Sequence, residues 1–143
     1  MRFGVVVSEW NTEITEALFE GARNTFLKFG TAEADIIRRD VPGSFELTLG
    51  AQLLAETEQF DAIICIGVVI QGETKHFDFI CEAVGQGITN LNIKYNLPVI
   101  FGVLTPNTMQ QALDRAGGVH GNKGDEAAIT AIKMAALKRE LEN

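Results

Sequence analysis

Short apolar segments alternate with helical patterns along the whole chain. Residues 2–8, 62–70 and 99–104 are rich in β-branched side chains and lack regular polar alternation, which is typical of strands buried on both faces of a parallel sheet. Residues 36–41 form a fourth candidate strand that charged side chains weaken, so we expect it at an edge of the sheet. The pattern therefore predicts four strands.

A helical pattern with a period of about 3.6 residues follows each predicted strand. The hydroxyl side chains of Thr12, Ser44 and Thr108 stand where they can cap three of these helices. We predict helices at residues 12–29, 44–56, 74–96, 108–116 and 124–141. The predicted inward faces include the large apolar residues Phe29, Phe45, Leu49, Leu53 and Leu137.

The alternation of strands and helices decides the fold class. A strand followed by a helix, four times over, implies a parallel sheet with right-handed crossovers. We therefore predict an α/β fold, a flavodoxin-like three-layer sandwich with a four-stranded parallel sheet and helices on both faces. Residues 1–143 are expected to form one domain, because the length is ordinary for one domain and the chain contains no repeat or linker.

Unusual residues fall at the carboxyl ends of the predicted strands, where ligands bind in sheets of this kind. They are Trp10 and Asn11 after the first strand, Ser44, Phe45 and Glu46 after the second, Glu73, Thr74 and His76 after the third, and Phe101 in the fourth. Because four segments meet at one rim, we predict a ligand site there.

The turn after the third strand has the features of an anion site. It lies within residues 67–80 (GVVIQGETKHFDFI), where Gly72 separates a strand from a helix. This geometry directs free backbone N–H groups and the positive end of the helix dipole at one place. His76, in the first helical turn, could transfer protons beside a bound anion. Many such turns carry no chemistry, so the turn alone does not establish catalysis.

Composition and charge exclude several classes of partner. The net charge of −7 and the pI near 4.8 argue against nucleic acid and anionic membrane surfaces. Cys65 and Cys81 are expected to be reduced, packed thiols of a cytoplasmic protein, and no spacing of cysteine or histidine suggests a metal site. Any bound phosphate must then be held locally, by backbone amides and a few basic side chains.

Four individual residues have a purely structural interpretation that must be weighed against a role in binding. Trp10 is the only tryptophan and lies in a loop, which favours a stacking platform for a flat heterocycle over a core side chain. Glu46 could bind hydroxyl groups or only complement a helix dipole. Arg115 could be a solvated cation at a helix end, and Lys123 an ordinary loop side chain.

Two known uses of such a sheet do not fit. A receiver domain needs an aspartate after a strand, where Ser8 and Ile70 stand. A flavodoxin needs a loop rich in Ser, Thr and Gly after the first strand, and residues 8–11 are not.

At these residues the chain closely resembles the lumazine synthase family of riboflavin biosynthesis. The motifs that carry the resemblance are SEWN (8–11), VPGSFEL (41–47), GVVIQGETKHFDFI (67–80), PVIFGVLT (98–105) and DRAGG…GNKGDEAA (114–128). Ordered motifs over nearly the whole chain are far more specific than one short motif. The resemblance implies a transferase that condenses 5-amino-6-(D-ribitylamino)uracil with 3,4-dihydroxy-2-butanone 4-phosphate, giving 6,7-dimethyl-8-ribityllumazine, phosphate and water. It implies neither a metal nor an organic cofactor.

The resemblance also implies a role for each candidate residue. His76 would transfer protons, and Glu73, Thr74 and Arg115 would bind the phosphate. The remaining candidates would bind the other substrate or cover its ring: Trp10, Asn11, Ser44, Phe45, Glu46, Val68, Val69, Ile70, Phe101 and Lys123. Gln71 stands where many relatives carry Arg or Lys, which weakens the local positive field.

Members of this family share their active sites between subunits. The resemblance implies that Phe101 and Arg115 reach in from a neighbour within a pentamer, and the short connection at 117–124 favours a capsid of pentamers. Relatives commonly carry an additional amino-terminal strand that joins a neighbour's sheet, whereas this chain starts at its first core strand. One alternative is a non-catalytic cage, against which His76 and Arg115 argue. The other is a lumazine- or flavin-binding relative, which product formation would separate from an enzyme.

Overall fold

The computed structural model describes residues 1–142. The main elements in chain order are β1 (Phe3–Ser8), α1 (Thr12–Lys28), β2 (Ile36–Val41), α2 (Leu47–Ala55), β3 (Ala62–Val68), α3 (His76–Tyr95), β4 (Val99–Leu104), α4 (Met109–Asp114), β5 (Ala116–Gly118), β6 (Gly121–Asn122) and α5 (Lys123–Glu142). Short 3-10 turns at Glu33–Asp35 and Ser44–Glu46 precede β2 and α2.

The predicted parallel sheet is confirmed. Its strand order is β2-β1-β3-β4, and all three neighbouring pairs are parallel. Phe3 at the start of β1 lies opposite Ile36 on one side and Ala62 on the other. The strand with the charged residues, β2, is at an edge as expected, because its side chains reach water there.

Both faces of the sheet are buried, which explains the unbroken apolar strands. Val5 and Ile64 pack with α1 and α5 in one core cluster, whereas Val6 and Ile63 pack with α2 and α3 in the other. Every residue of β1 and β3 is buried. Each fully buried Val or Ile side chain stabilises the fold by about 1.5–3 kcal/mol before entropy costs are counted.

The helical faces differ from the prediction at the larger apolar residues. Phe45, Leu49 and Leu53 are 59%, 58% and 56% exposed, and Leu137 and Phe29 are also exposed. Helix α2 starts only at Leu47 and buries a stripe formed by Leu47, Ala51 and Ala55. The stripe of α5 consists of Gly124, Ala127, Ala128, Ala131 and Ala135. The inward faces therefore consist mostly of small residues, because close approach of these helices leaves no space for larger side chains.

Two further boundaries were wrong by a few residues. Strand β3 ends at Val68 instead of residue 70, and α3 begins at His76 instead of Thr74. The residues between them form an extended loop and a turn that contain the predicted phosphate donors Glu73 and Thr74. Within residues 1–142, no helix combines the length and the hydropathy that crossing a membrane requires.

Candidate active site

A cavity of about 390 Å³ opens at the carboxyl ends of β1 and β3. The chain leaves β1 for β2 on one side and later returns to β3 on the other, so this is the switch point at which sheets of this kind bind ligands. The lining residues are Trp10, Asn11, Gly43, Ser44, Phe45, Glu46, Val68, Val69, Ile70, His76 and Ile80. The fold thus brings together predicted site residues from three separate segments.

Ser44 anchors the segment between β2 and α2 to the floor of this cavity. It is buried, and its Oγ donates a hydrogen bond to the Val68 carbonyl at the end of β3 (3.3 Å). Phe45 and Glu46 continue the 3-10 turn from this anchor and are exposed at the cavity wall. The anchor thus decides where an aromatic ring and a carboxylate stand.

The loop after β1 presents Trp10 to solvent. Trp10 is 71% exposed, so the interpretation as a core side chain is wrong. Asn11 adopts a left-handed conformation (φ 61°, ψ 55°), which asparagine tolerates better than most residues, and it caps α1 instead of Thr12. The Asn11 carbonyl accepts hydrogen bonds from the Ile14 and Thr15 N–H groups (3.0 and 3.1 Å). This sharp turn leaves the indole beside the cavity and not beneath it.

The backbone after β3 is only partly available to a ligand. The Val69 N–H donates to the Leu104 carbonyl (2.8 Å), and the Val68 carbonyl already accepts from Ser44. The Val69 carbonyl and the Ile70 N–H have no backbone partner within the part of the chain that the structure describes. Those two groups can form hydrogen bonds to the edge of a heterocycle.

The turn before α3 retains free backbone donors. The Thr74 Oγ1 accepts a hydrogen bond from the N–H of His76, the first residue of α3 (3.3 Å). In residues 1–142, the N–H groups of Glu73 and Thr74 donate to no acceptor, and both residues are exposed. They lie at the positive end of a 20-residue helix, the environment that suits an anion.

A second cavity, of about 640 Å³, lies beside the exit of β4. Its lining residues are Phe101, Val103, Leu104, Thr105, Pro106, Gln111, Arg115, His120, Lys123 and Glu126. It contains the predicted residues Phe101, Arg115 and Lys123. Of the predicted site residues only Glu73 and Thr74, on the turn before α3, line neither cavity, and one chain does not bring the others into one site.

A small hairpin, β5–β6, holds the basic residues of the second cavity. The Lys123 N–H donates to the Arg115 carbonyl (2.8 Å), and the Arg115 guanidinium donates to the Gln111 carbonyl (3.0 Å). Asn122 fixes the hairpin to α1, since its Nδ2 donates to the Ala17 carbonyl (3.0 Å) and its Oδ1 accepts from the Gly124 N–H (2.7 Å). Sequence reasoning did not assign a role to Asn122, although an asparagine directly before a helical pattern is a recognised capping signal.

His120 and Glu126 also line the second cavity and were not predicted. Their proximity to Lys123 in the chain was the only signal available. Arg115 forms none of the ion pairs found within residues 1–142. In a chain of net charge −7, Arg115 and Lys123 in one cavity favour an anion there.

The cysteines are packing residues, as predicted. Cys65 is buried, and burial raises the pKa of its thiol to about 12, so the reactive thiolate is not formed near neutral pH. Cys81 is half-buried, and desolvation followed by the nearby Asp78 charge raises the pKa of its thiol as well. Both are free thiols.

The comparisons with known proteins agree over nearly the full chain. The family model described as 6,7-dimethyl-8-ribityllumazine synthase matches residues 1–139. The protein of that name from Cytophaga hutchinsonii is 66% identical over 134 residues, which cover 94% of this chain and 84% of the relative. Relatives of the same name from Parabacteroides distasonis and Bacteroides fragilis are 60% and 58% identical, again over 94% of this chain and over 84% and 94% of their own lengths. This chain belongs to the 6,7-dimethyl-8-ribityllumazine synthase family.

Proposed function

We propose that this chain condenses 5-amino-6-(D-ribitylamino)uracil with 3,4-dihydroxy-2-butanone 4-phosphate, giving 6,7-dimethyl-8-ribityllumazine, phosphate and water. The observation that carries the proposal is the cavity at the switch point, where Trp10, Glu46 and His76 line one space beside a turn with free N–H groups. Membership in the family supplies the reaction, and this cavity supplies groups for both substrates.

The pyrimidine substrate fits the first cavity. The exposed indole of Trp10 stacks on its ring, and the free Val69 carbonyl and Ile70 N–H form hydrogen bonds to its edge. The ribityl chain runs along Ser44–Glu46, where the Glu46 carboxylate accepts hydrogen bonds from hydroxyl groups. Asn11 and Phe45 complete the wall of this binding site.

The phosphate-bearing substrate binds at the turn before α3. The Glu73 and Thr74 N–H groups donate to the phosphate, while the Glu73 side chain points away from it. The aromatic amine first forms an imine with the ketone and releases one water, and phosphate then leaves by elimination. The resulting enol tautomerises to a ketone, which the ribityl-bearing nitrogen attacks to close the ring with loss of a second water. His76 transfers protons in these steps, and the amides with Arg115 stabilise the departing phosphate where negative charge develops. Holding both substrates together lowers the barrier further.

The complete site is formed between two subunits. Arg115, Lys123 and Phe101 of one chain occupy a cavity separate from that of His76, and Arg115 has no carboxylate partner within residues 1–142. A neighbouring copy that places its second cavity against the first cavity supplies Arg115 for the phosphate, Phe101 to cover the ring and Lys123 for a ring carbonyl.

Exposed apolar side chains support such an assembly. Ile93 is 77% exposed and Phe79 is 69% exposed, both on α3, and surfaces of this kind mark contacts between proteins. The oligomer is a pentamer with five equivalent sites, further assembled into a capsid, and it works in the cytoplasm.

The test is product formation by the purified protein. Both substrates are supplied, and the lumazine is followed by its absorbance while released phosphate is measured; we expect one phosphate per lumazine. Light scattering on the same sample gives the size of the assembly. A protein that binds lumazine but forms none would be a binding relative, and a fully active monomer would exclude the shared site.

A further inference from the structure

The floor of the first cavity contains a contact that only glycine permits. We infer that Gly67, which does not face the cavity, is a positioning residue: its missing side chain lets Ser44 sit against β3, and Ser44 in turn sets the positions of Phe45 and Glu46. This inference rests on the proposed function, because Phe45 and Glu46 are assigned there to the ribityl-bearing substrate.

The space around Gly67 is too small for any side chain. A Cβ atom added to Gly67 would lie 2.7 Å from the Ser44 Oγ, 3.0 Å from the Leu47 Cδ1 and 3.5 Å from the Ser8 Cβ. Atoms of α2, of β1 and of the Ser44 turn therefore enclose it on several sides. The backbone of Gly67 lies outside the left-handed region, so an alanine would fit the backbone and act through space alone.

The strand itself cannot relieve such a clash. Gly67 lies in β3, which is paired with β1 on one side and β4 on the other, and all of its residues are buried. Moving β3 would break both ladders and both core clusters. The Ser44–Glu46 turn is held by fewer contacts and carries two exposed side chains, so it is the part that would move.

Rotation of the Ser44 hydroxyl does not avoid the consequence. Its Oγ donates to the Val68 carbonyl, and turning it away leaves that acceptor without this donor beneath the cavity. A buried polar group without a partner is destabilising, so the hydroxyl and the turn are displaced together.

The displaced turn would affect one substrate more than the other. Phe45 and Glu46 follow Ser44 directly, whereas the phosphate donors Glu73 and Thr74 belong to a separate turn after β3. A side chain at position 67 is therefore expected to raise KM for the pyrimidine and to leave KM for the phosphate-bearing substrate nearly unchanged. General damage to the fold would raise both.

The experiment compares Gly67→Ala, Ser44→Ala and the double variant with the wild-type protein. Affinity for the lumazine product is read from Trp10 fluorescence, both KM values from initial rates, and folding from thermal unfolding. We expect Gly67→Ala to bind lumazine at least about tenfold more weakly, since the Ser44 anchor is lost and the turn is misplaced. The double variant lacks the oxygen that lies 2.7 Å from the new methyl group, so it should bind as tightly as Ser44→Ala alone.

Gly85→Ala is the matched control, because a Cβ at Gly85 meets nothing within 4 Å. It should bind lumazine as the wild type does. If Gly67→Ala does not fold, a double variant that folds and binds lumazine as tightly as Ser44→Ala still supports the inference, and failure of the double variant to fold overturns it. Unchanged lumazine binding by a folded Gly67→Ala also overturns it. A wild-type protein that neither binds nor forms lumazine would instead contradict the proposed function.

Discussion

Mixing two defective variants tests most directly whether neighbouring chains share a site. His76→Ala alters only the first cavity, and Arg115→Ala alters only the second. Each variant alone should have low activity. If every site combines the first cavity of one subunit with the second cavity of its neighbour, some interfaces in a mixed oligomer carry both wild-type residues.

The expected recovery follows from this arrangement. After co-refolding at equal concentrations, His76 is intact in half of the subunits and Arg115 in the other half. About one quarter of the interfaces of a closed ring then contain both intact residues, so turnover should approach about a quarter of the wild-type value. If His76 and Arg115 of the same chain formed the site, no site would contain both, and the activity would remain the mean of the two variants.

The assay is lumazine formation at a concentration of the phosphate-bearing substrate that saturates the wild-type protein but not Arg115→Ala, with light scattering and mass spectrometry to show that mixed oligomers have formed. Arg115→Ala mixed with Lys123→Ala is the matched control, because both residues lie in one cavity of one chain and no wild-type site can arise. Confirmed mixed oligomers that show only the mean activity would refute the shared site. Activity of the control pair above the mean of its two variants would show that the recovery does not come from combining intact cavities of neighbouring subunits.

Four further outcomes can be checked on single variants. Trp10→Ala should weaken pyrimidine binding by about 1–3 kcal/mol, as base–aromatic stacking does, while Trp10→Phe largely retains it; unchanged melting temperatures are expected because the side chain is 71% exposed. Arg115→Ala should raise KM for the phosphate-bearing substrate far more than for the pyrimidine, and Arg115→Lys should recover part of the loss; an equal rise in both would indicate damage to the interface. His76→Ala should lower turnover by roughly 10²-fold or less, because positioning of the substrates survives, and unchanged turnover would remove its role as proton donor and acceptor. The Arg38 guanidinium lowers the pKa of Glu16, so this pair stabilises the fold above the ordinary pKa of glutamate and ceases to do so as the pH falls below the lowered value. Glu16→Gln should therefore cost under about 1 kcal/mol in urea unfolding at pH 7, given that the Glu16 side chain is 44% exposed, and the cost should shrink as the pH falls below the lowered pKa of Glu16; an equal loss at neutral and acidic pH would exclude the ion pair as the cause.

Local patterns determined the elements of the fold. Strands β2 and β4 begin and end where the apolar segments predict, and Thr108 caps α4 by accepting from the Gln111 N–H (3.2 Å). These features depend on neighbours within a few residues, so local sequence patterns predict them. For the same reason, the turn that leads to His76 could be identified as a candidate anion site before any contact was known.

Helix orientation depended on packing across the sheet. Leu53 belongs to an apolar helix and was predicted to be buried, yet it is exposed, whereas Ala51 is fully buried. Which stripe of α2 faces inward depends on how closely the helix approaches β1 and β3. The small residues allow that close approach, and hydropathy alone does not predict which stripe of the helix faces inward.

The division of the site and the contacts that hold it depended on tertiary structure alone. Trp10 and Arg115 lie in different cavities because the strand order places the carboxyl ends of β1 and β4 apart. No single segment of the sequence determines that strand order. Asn122 bonds to the Ala17 carbonyl across 105 residues. The space that Gly67 leaves for Ser44 likewise exists only after three segments have packed together. The sequence by itself determined which residues are apolar, polar or able to cap; which of them come within contact distance was decided by the long-range packing of the chain.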